Sequence, residues 1–259
     1  MTMRFALRPF AAALCATAFA LSTMAYARAQ SFSTEQRGEI ERIIKEYLLK
    51  NPEVLQESML ELEKRQNAAE STKRDSAIKQ NASAIFNSNR QVVIGNPQGD
   101  VNFVEFFDYN CGYCKRAMDD MLNLMKDDSK LRVVLKEFPV LGEGSVEAAQ
   151  VAVAVRMQDK SGKKYLEFHR KLLTGRGQVN KARALAAAKE VGLDMPRIEK
   201  DLNSEEVRDT IQESFNLARV PGLNGTPSYV IGNEVVVGAV GLDALREKVN
   251  TARCGKPTC

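Results

Sequence analysis

Hydrophobic and polar residues alternate differently in three stretches of the chain. A short apolar run lies near the start, helical spacing follows from Ser33 to about Asn89, and alternating strand and helix patterns begin at Val92. Strands that alternate with helices are typical of an α/β domain, and a polar segment with one apolar stripe is typical of an amphipathic helix. The pattern therefore predicts a leader, a helical arm and an α/β domain.

Residues 1–29 have the pattern of a secretory signal peptide. Arg4 and Arg8 precede an apolar stretch over residues 10–24, and small residues then allow cleavage after Ala27 or Ala29. An uncleaved membrane anchor is the alternative, but the apolar run is shorter than the roughly 20 residues that span a bilayer. We therefore expect the mature chain to be exported to the periplasm.

The arm, predicted over residues 30–90, is expected to be entirely helical. Ser33 and Gln36 can form a capping box, and Asn51-Pro52-Glu53 offers a cap, a first-turn proline and a first-turn acid for a second helix. An apolar stripe follows both helices, made of Ile40, Ile43, Ile44, Tyr47, Leu48, Val54, Leu55, Met59 and Leu62. We expect the stripe to form a homo-oligomer; packing against the chain's own domain and a disordered tether are the alternatives.

The α/β domain is predicted over residues 91–253, with a helical insertion over about 140–220. Five strands are expected, over residues 92–94, 101–107, 131–138, 229–231 and 235–237, the last two forming a hairpin across Gly232-Asn233. The second strand is almost continuously apolar, as in strands buried on both faces. One helix is expected to begin at Cys111, and a closing helix spans 242–249.

Composition narrows the chemistry that the chain can perform. The 259 residues are 44% hydrophobic and 27% charged, as in globular proteins, and a net charge of +4 spread along the chain gives no support for a nucleic-acid partner. His169 is the only histidine, so histidine-based zinc sites and Ser-His or Cys-His catalysis would all depend on it. We expect His169 to be structural or exposed, which leaves the chemistry to the cysteines.

The cysteines form two close pairs once the signal peptide, with Cys15, is removed. The pairs are Cys111 with Cys114 and Cys254 with Cys259. An even number of cysteines in an exported chain suits an oxidising compartment. A zinc site built from both pairs is the alternative. We expect residues 254–259 to close a local structural disulfide; a second redox pair and a soft Cu(I) site are the other interpretations.

The position of Cys111 at a helix start favours its thiolate. Free backbone N–H groups and the positive end of the helix dipole stabilise the negative sulfur, so Cys111 is the candidate nucleophile. Cys114 lies one turn further into the helix and suits the resolving role of attacking a mixed disulfide. Each unit by which the pKa of Cys111 falls favours the reduced form by about 1.4 kcal/mol, or roughly 30 mV.

Residues 105–114 and 225–228 together resemble the DsbA-type branch of the thioredoxin superfamily. The resemblance extends over roughly residues 92–250, and residues 47–55 of the arm are similar to suppressor of copper sensitivity protein C and related bacterial thiol isomerases. It implies a thioredoxin fold with a helical insertion and thiol-disulfide oxidoreductase activity with no diffusible cofactor.

The resemblance also implies roles for residues outside the Cys pair. Pro227 would be cis and would hold the backbone of Thr226 where an extended substrate can pair with it; an ordinary trans proline is the alternative. Burial of Glu105 would raise its pKa and let it exchange protons with Cys114, unless it is a partly exposed strand residue. Lys136 is expected either to face the same pocket or to face solvent.

Gly112 and Tyr113, which are expected to contact substrate, stand where the strongest oxidants of the branch carry a histidine. They offer the sulfur of Cys111 no cation, and Lys115 and Arg116 restore positive potential only if they are not solvated. We therefore expect a pair that is less oxidising than the best oxidants of the branch. Because an oligomeric arm can present several active sites to one misfolded client and could obstruct docking to a membrane oxidase, we expect an isomerase or reductase. It would act on unfolded or wrongly disulfide-bonded exported proteins, with a membrane redox partner. A disulfide donor and a non-catalytic Cu(I)-sequestering protein are the alternatives.

Overall fold

The computed structural model describes residues 32–259, so the predicted signal peptide and its cleavage after Ala27 or Ala29 lie outside the described residues. The chain divides into two compact units, one ending at Glu63 and the other spanning Lys64–Cys259. Within residues 32–259, no helix combines the length and the apolar character that a membrane span requires.

The first unit contains helix α1 (Thr34–Lys50) and the start of α2 (Glu53–Gln80). The predicted capping box is confirmed: the Gln36 N–H donates to Ser33 Oγ over 3.2 Å, and the Ser33 N–H donates to Gln36 Oε1 over 2.9 Å. Asn51 differs from expectation, since its side-chain amide donates to the carbonyl of Tyr47 over 2.9 Å. The backbone N–H of Asn51 donates to the same carbonyl over 2.8 Å, so Asn51 closes α1, and its side chain does not cap α2.

The apolar stripe of the arm is exposed in the single chain. No residue of α1 is buried. Large apolar side chains at least 49% exposed are Ile43, Ile44, Tyr47, Leu49, Leu55, Met59, Leu60 and Leu62. The predicted self-association stays a prediction.

The second unit contains a mixed five-stranded sheet. Its strands are β1 (Val92–Gly95), β2 (Val101–Phe107), β3 (Leu131–Glu137), β4 (Ser228–Ile231) and β5 (Glu234–Val237). Their order is β1-β3-β2-β4-β5, and β2 and β3 are parallel while the other pairs are antiparallel. The five predicted strands and the final hairpin are confirmed.

The helices of this unit surround the sheet. They are the end of α2, then α3 (Ala82–Asn87), α4 (Gly112–Asp127), α5 (Glu143–Gln158), α6 (Lys163–Thr174), α7 (Lys181–Glu190), α8 (Met195–Asp201), α9 (Glu205–Arg219) and α10 (Leu242–Cys254). Five of them, α5 to α9, form the predicted insertion. Helix α10 continues beyond its predicted end at residue 249 until Gly255, whose φ of 77° is left-handed and favours glycine.

Two apolar clusters cover the two faces of the sheet. Phe103 and Phe107 of β2 belong to the cluster that includes residues of α4 to α7, and Val104 and Phe106 belong to the cluster that includes Ile78 of α2. Because successive strand residues point to opposite faces, a strand covered on both faces has the nearly continuous apolar run seen in β2.

Lys136 lies on the opposite face of the sheet from Glu105, so both predictions for it are wrong. It pairs in register with Phe106, the neighbour of Glu105, and only 2% of it is exposed. Its ammonium donates to the carbonyl of Ala84 over 3.3 Å and to Gln91 Oε1 over 3.0 Å, and burial lowers its pKa to about 8. Lys136 therefore ties the sheet to the chain around α3.

Candidate active site

Cys111 occupies the N-cap position of α4, directly after the turn that follows β2. Its pKa is lowered to about 5, chiefly by a hydrogen bond from the Cys114 thiol, against an opposing contribution from burial. The side chain of Thr226 and the backbone N–H groups of Tyr113 and Cys114 act in the same direction as the thiol. Donors that converge on one sulfur favour its ionised form, as the helix start predicts.

The loop before β4 approaches the same sulfur. Cys111 Sγ lies 3.1 Å from the carbonyl oxygen of Thr226, and the Thr226–Pro227 peptide bond is cis. A carbonyl only accepts hydrogen bonds, so this contact favours the thiol of Cys111 and opposes the donors around it. The N–H of Gly238 donates to the Pro227 carbonyl over 2.8 Å and ties the loop to the end of β5.

Cys114 is fully buried and has the opposite preference. Burial is the largest cause that raises the pKa of its thiol, followed by the hydrogen bond with Cys111 and the charge of Glu105. At neutral pH the pair therefore holds one thiolate, on Cys111, and one thiol, on Cys114. A buried thiol is inert until a base removes its proton.

Glu105 is buried, as expected, with 2% of it exposed. Burial is the largest cause that raises its pKa, to about 8, and the charge of Cys111 adds to it. Its Oε2 has no hydrogen-bond partner anywhere in residues 32–259. Such an oxygen is costly to bury, by about 1–3 kcal/mol, which keeps this carboxyl protonated at neutral pH.

Tyr229 belongs to the same buried group, although its sequence context predicts only a strand residue. It lies directly opposite Glu105 across the antiparallel β2–β4 pair, its ring centroid is 5.1 Å from that of Phe103, and its hydroxyl has no partner in the described chain. Directly opposed residues share one face of a sheet, so two partnerless buried oxygens face the core side by side. The alternation of side chains along β4 places Tyr229 on one face of the sheet. Only the register between β2 and β4 places it opposite Glu105.

Asp108 fixes the turn between β2 and Cys111. Its Oδ2 accepts from the N–H groups of Val140 and Leu141 over 2.8 and 3.0 Å, and its Oδ1 accepts from the Ser145 hydroxyl over 2.7 Å. The carboxylate therefore joins the active-site turn to the loop after β3. In the sequence, Asp108 is recognisable only as the residue that ends the apolar run of β2.

Asn110 makes a second connection between this turn and the insertion. Its side-chain amide donates to the Val179 carbonyl over 2.9 Å, and its oxygen accepts from the Val179 N–H over 2.7 Å. This two-way pairing holds the turn against the segment before α7.

His169 is buried, and no atom of the Cys pair is among its hydrogen-bond partners in residues 32–259. Its Nδ1 lies 3.2 Å from the hydroxyl of Tyr109, which lies 3.4 Å from that of Tyr165. Tyr165 in turn donates to the carboxyl group of Glu137. Burial lowers the pKa of His169 to about 3, so the imidazole is neutral and serves packing under the active-site turn.

Residues 103–250 match the DSBA-like thioredoxin domain family, which covers more than half of the chain. The chain belongs to this family. Residues 36–69 also match the N-terminal domain of copper resistance protein ScsC. The predicted thioredoxin fold, with its insertion and helical arm, is confirmed, and the α/β unit contains a DSBA-like thioredoxin domain.

Solved structures of similar proteins include a thioredoxin-like oxidoreductase from Silicibacter pomeroyi, 43% identical, which matches 66% of this chain and 96% of its own with a TM-score of 0.62. The thiol-disulfide exchange protein alpha-DsbA2 from Wolbachia pipientis is 33% identical; the match covers 70% of this chain and 97% of that protein, with a TM-score of 0.65. Proteus mirabilis ScsC in a transitional conformation is 26% identical; the match covers 87% of this chain and 98% of that protein, with a TM-score of 0.63.

The curated relatives include a longer protein. The Na(+)/H(+) antiporter NhaA 1 of Salinispora arenicola is 26% identical over 166 residues, and the chain spans 25% of its length. The match covers 64% of this chain.

The two cations next to the Cys pair of this DSBA-like domain have partners other than the sulfur. The ammonium of Lys115 donates to the carbonyls of Gly175 and Gly177 over 3.4 and 3.2 Å. The guanidinium of Arg116 lies 4.3 Å from the ring centroid of Tyr113, a cation–π contact. Tyr113 itself is 58% exposed, beside Gly112, where an added Cβ would meet no atom within 4 Å in the described chain.

The second cysteine pair forms the predicted local disulfide. Cys254 ends α10 and is bonded to Cys259, with 6.3 Å between their Cα atoms. Among residues 32–259, no group of three or more His, Cys, Asp or Glu side chains is arranged to hold a metal ion.

Alkylation measures the ionisation of Cys111 directly. With Cys254 and Cys259 replaced by serine, the rate of reaction with iodoacetamide is expected to rise with pH around a midpoint of about 5. Cys114→Ala removes the thiol that donates to Cys111, so its midpoint is expected to move upward. A midpoint near that of free cysteine in both proteins would contradict the proposed ionisation.

Glu105→Gln tests the buried carboxyl group. Because the pKa of Glu105 is raised in the folded state, the folded protein holds an extra proton between pH 4.5 and about 8, and stability falls as pH rises through this range. The unfolding free energy of the reduced protein, relative to Glu105→Gln, is expected to fall by up to about 1.4 kcal/mol per pH unit. Denaturant unfolding at several pH values measures this, and a difference that is constant with pH would rule out the raised pKa.

Proposed function

We propose that this protein is an exported thiol-disulfide isomerase or reductase that acts on misfolded exported proteins. The observation that carries the proposal is the difference in protonation between the two sulfurs. Cys111 is ionised at a helix start, and Cys114 is protonated and fully buried. One sulfur is ready to attack, and the other is held back until a mixed disulfide has formed.

The first step in the proposed mechanism is attack by the Cys111 thiolate on a substrate disulfide. The substrate S–S bond breaks, a bond forms between Cys111 and one substrate sulfur, and the other sulfur leaves as a thiolate. In isomerisation a second substrate thiolate then attacks the substrate sulfur that is bonded to Cys111. A new substrate disulfide forms, the bond to Cys111 breaks, and Cys111 leaves as a thiolate, with no net transfer of electrons. In reduction the Cys114 sulfur, once deprotonated, attacks the Cys111 sulfur. The bond between Cys111 and the substrate breaks, the substrate sulfur leaves as a thiolate, and two electrons have passed to the substrate as the Cys111–Cys114 disulfide forms.

Glu105 is the base that we propose for Cys114. The negative charge of Cys111 contributes to the raised pKa of Glu105, and a mixed disulfide removes that charge. The pKa of Glu105 therefore falls when Cys114 must lose its proton, so the carboxylate becomes available at the resolving step. Its effect as a general base is expected to be about 10²-fold or more on the rate of resolution.

Thr226 and Pro227, with Gly112 and Tyr113, are the proposed contacts to the polypeptide. The Thr226 carbonyl lies beside the sulfur of Cys111, where the backbone of an extended substrate can pair with it. The exposed ring of Tyr113 offers an apolar contact next to Cys111. Such a site recognises backbone and apolar side chains, which unfolded clients of many sequences share.

We also propose that the protein is exported and that it forms an oligomer. The signal-peptide pattern supports export to the periplasm, where a membrane redox partner would keep the Cys pair reduced. The exposed stripe of the arm supports a homo-oligomer in which several active sites reach one client.

A disulfide donor is the second candidate, and the low pKa of Cys111 favours it. A stabilised thiolate stabilises the reduced pair, which makes the oxidised pair a better oxidant. Cu(I) sequestration is less favoured, since Cys254 and Cys259 are bonded to each other and both Cys111 and Cys114 are buried.

Refolding of scrambled ribonuclease tests the isomerase. Cys111→Ala is expected to abolish the activity, whereas Cys114→Ala is expected to retain part of it, because isomerisation needs only the attacking sulfur. Titration of the Cys111–Cys114 pair with glutathione then separates donor from reductase. If Cys111→Ala kept full refolding activity and lost Cu(I) binding instead, the enzyme hypothesis would be wrong and a metal carrier would be indicated.

Light scattering after size-exclusion chromatography tests the arm. The mature chain is expected to be an oligomer, and Ile44→Asp with Met59→Asp is expected to give a monomer, because both side chains are more than half exposed on the stripe. Gln56→Asp is the matched control for added charge on a polar position. The monomer should keep its rate of simple disulfide reduction and lose ribonuclease refolding; a monomeric unmodified chain would favour the donor.

A further inference from the structure

A cavity of about 290 Å³ lies at the edge strand β1, and none of the residues that line it belongs to the candidate active site. Three chain segments form its walls: the end of α3 with the start of β1, one residue of β3, and the turn from α5 to α6. Its charged lining residues are Arg132, Arg156, Asp159 and Lys160, and Gly162 lines it from the turn before α6.

Arg132 is a half-buried cation without an anionic partner. Its Nη1 donates to the carbonyl of Phe86 over 2.8 Å and to Asn102 Oδ1 over 2.7 Å, and both acceptors are neutral. Within residues 32–259, no carboxylate forms an ion pair with it, and burial alone lowers its pKa. A charge withdrawn from water without a counter-charge is costly, so an anion next to it would be stabilising.

Two further cations line the same cavity. Lys160 is exposed and forms no ion pair with any carboxylate of the described chain. Arg156 is buried; its Nη2 lies 2.6 Å from Glu206, while its Nε has no partner in residues 32–259. The charge of Arg156 is therefore balanced, whereas those of Arg132 and Lys160 are not.

Asp159 is the acid among the lining residues, and its oxygens already accept hydrogen bonds. Oδ1 accepts from the N–H and the hydroxyl of Ser161, and Oδ2 accepts from the N–H of Tyr165 over 2.9 Å. The carboxylate thus caps the start of α6. It makes no ion pair with Arg132 or Lys160 in the described chain, so it does not neutralise them.

The walls of the cavity are fixed before any ligand binds. A Cβ on Gly162 would lie 2.7 Å from the carbonyl oxygen of Val93, so the turn before α6 packs closely on β1. Arg156 Nη1 donates to the carbonyl of Asn89 over 2.6 Å and joins the α5 wall to the segment before β1. A preformed site loses little entropy on binding, which favours affinity for small ligands.

We propose that this cavity binds a small molecule that carries a carboxylate or phosphate group, with Arg132 and Lys160 as its charged donors. Its volume is close to the lower limit of about 300 Å³ for small-molecule pockets, so the ligand is of metabolite size. The shared chemistry is the oxyanion. The site is independent of the thiol chemistry proposed above.

The test is a titration of the mature full-length chain, followed by amide chemical shifts, with inorganic phosphate and separately with malonate. Saturable shifts confined to residues 87–93 and 156–162, weaker in added salt, are expected for at least one anion. Arg132→Gln is expected to weaken binding by about 10-fold or more, as for loss of a charged hydrogen bond, and Lys160→Ala by several-fold. The tighter anion distinguishes a phosphate ligand from a carboxylate ligand.

Two variants keep the proposal open to contradiction. Lys160→Glu changes an exposed side chain, so the fold should persist even if Arg132→Gln does not fold, and binding should be lost. Lys200→Ala removes one exposed charge on α8 and should leave binding unchanged. Shifts that grow linearly without saturation, or that persist unchanged in Lys160→Glu, would overturn the site.

Discussion

The site depends on one constraint: its three buried ionisable groups together hold only one negative charge. Cys111, Cys114 and Glu105 are each at most 5% exposed, so every additional charge among them is opposed by desolvation and by repulsion. The hydrogen bond from Cys114 assigns that charge to Cys111 and leaves two protons on the others. When a mixed disulfide removes the charge from Cys111, the same constraint allows one of the two remaining groups to ionise, which is the change that the resolving step requires.

The scaffold maintains this arrangement through polar contacts that hold the active-site turn in place. Asp108 and Asn110 connect the turn to the loop after β3 and to the segment before α7. Helices α5 to α7 of the insertion therefore cover one face of the sheet, and the insertion also orients the chain that ends at Cys111. The sulfur of Cys111, after a parallel strand and at the start of a helix, depends for its position on residues far from it in sequence.

The strands and the Cys pair could be predicted because their signals are local. The bounds of β2 follow from its apolar run, and the position of Cys111 follows from the helix that begins after it. Lys136 and Tyr229 could not be placed, since the face and neighbours of a strand residue depend on register with strands distant in the chain. Asn51 shows a local limit: its side chain can cap either flanking helix, and it becomes a second donor to the carbonyl of Tyr47, which also accepts the backbone N–H of Asn51.

The low pKa of Cys111 does not by itself separate an oxidant from an isomerase. The pKa of Cys111 falls from 9.0 to about 5. At pH 7 only the part of this fall that lies below pH 7, about two pKa units, stabilises the reduced pair. At about 30 mV per unit this amounts to roughly 60 mV. The same stabilisation makes Cys111 a good leaving group, so a substrate thiolate displaces it easily from a mixed disulfide. Rapid release is what isomerisation needs, because the client must leave before Cys114 reduces it. The direction of electron flow therefore depends on the partner that sets the oxidation state of the pair, and access to that partner is what an oligomeric arm would control.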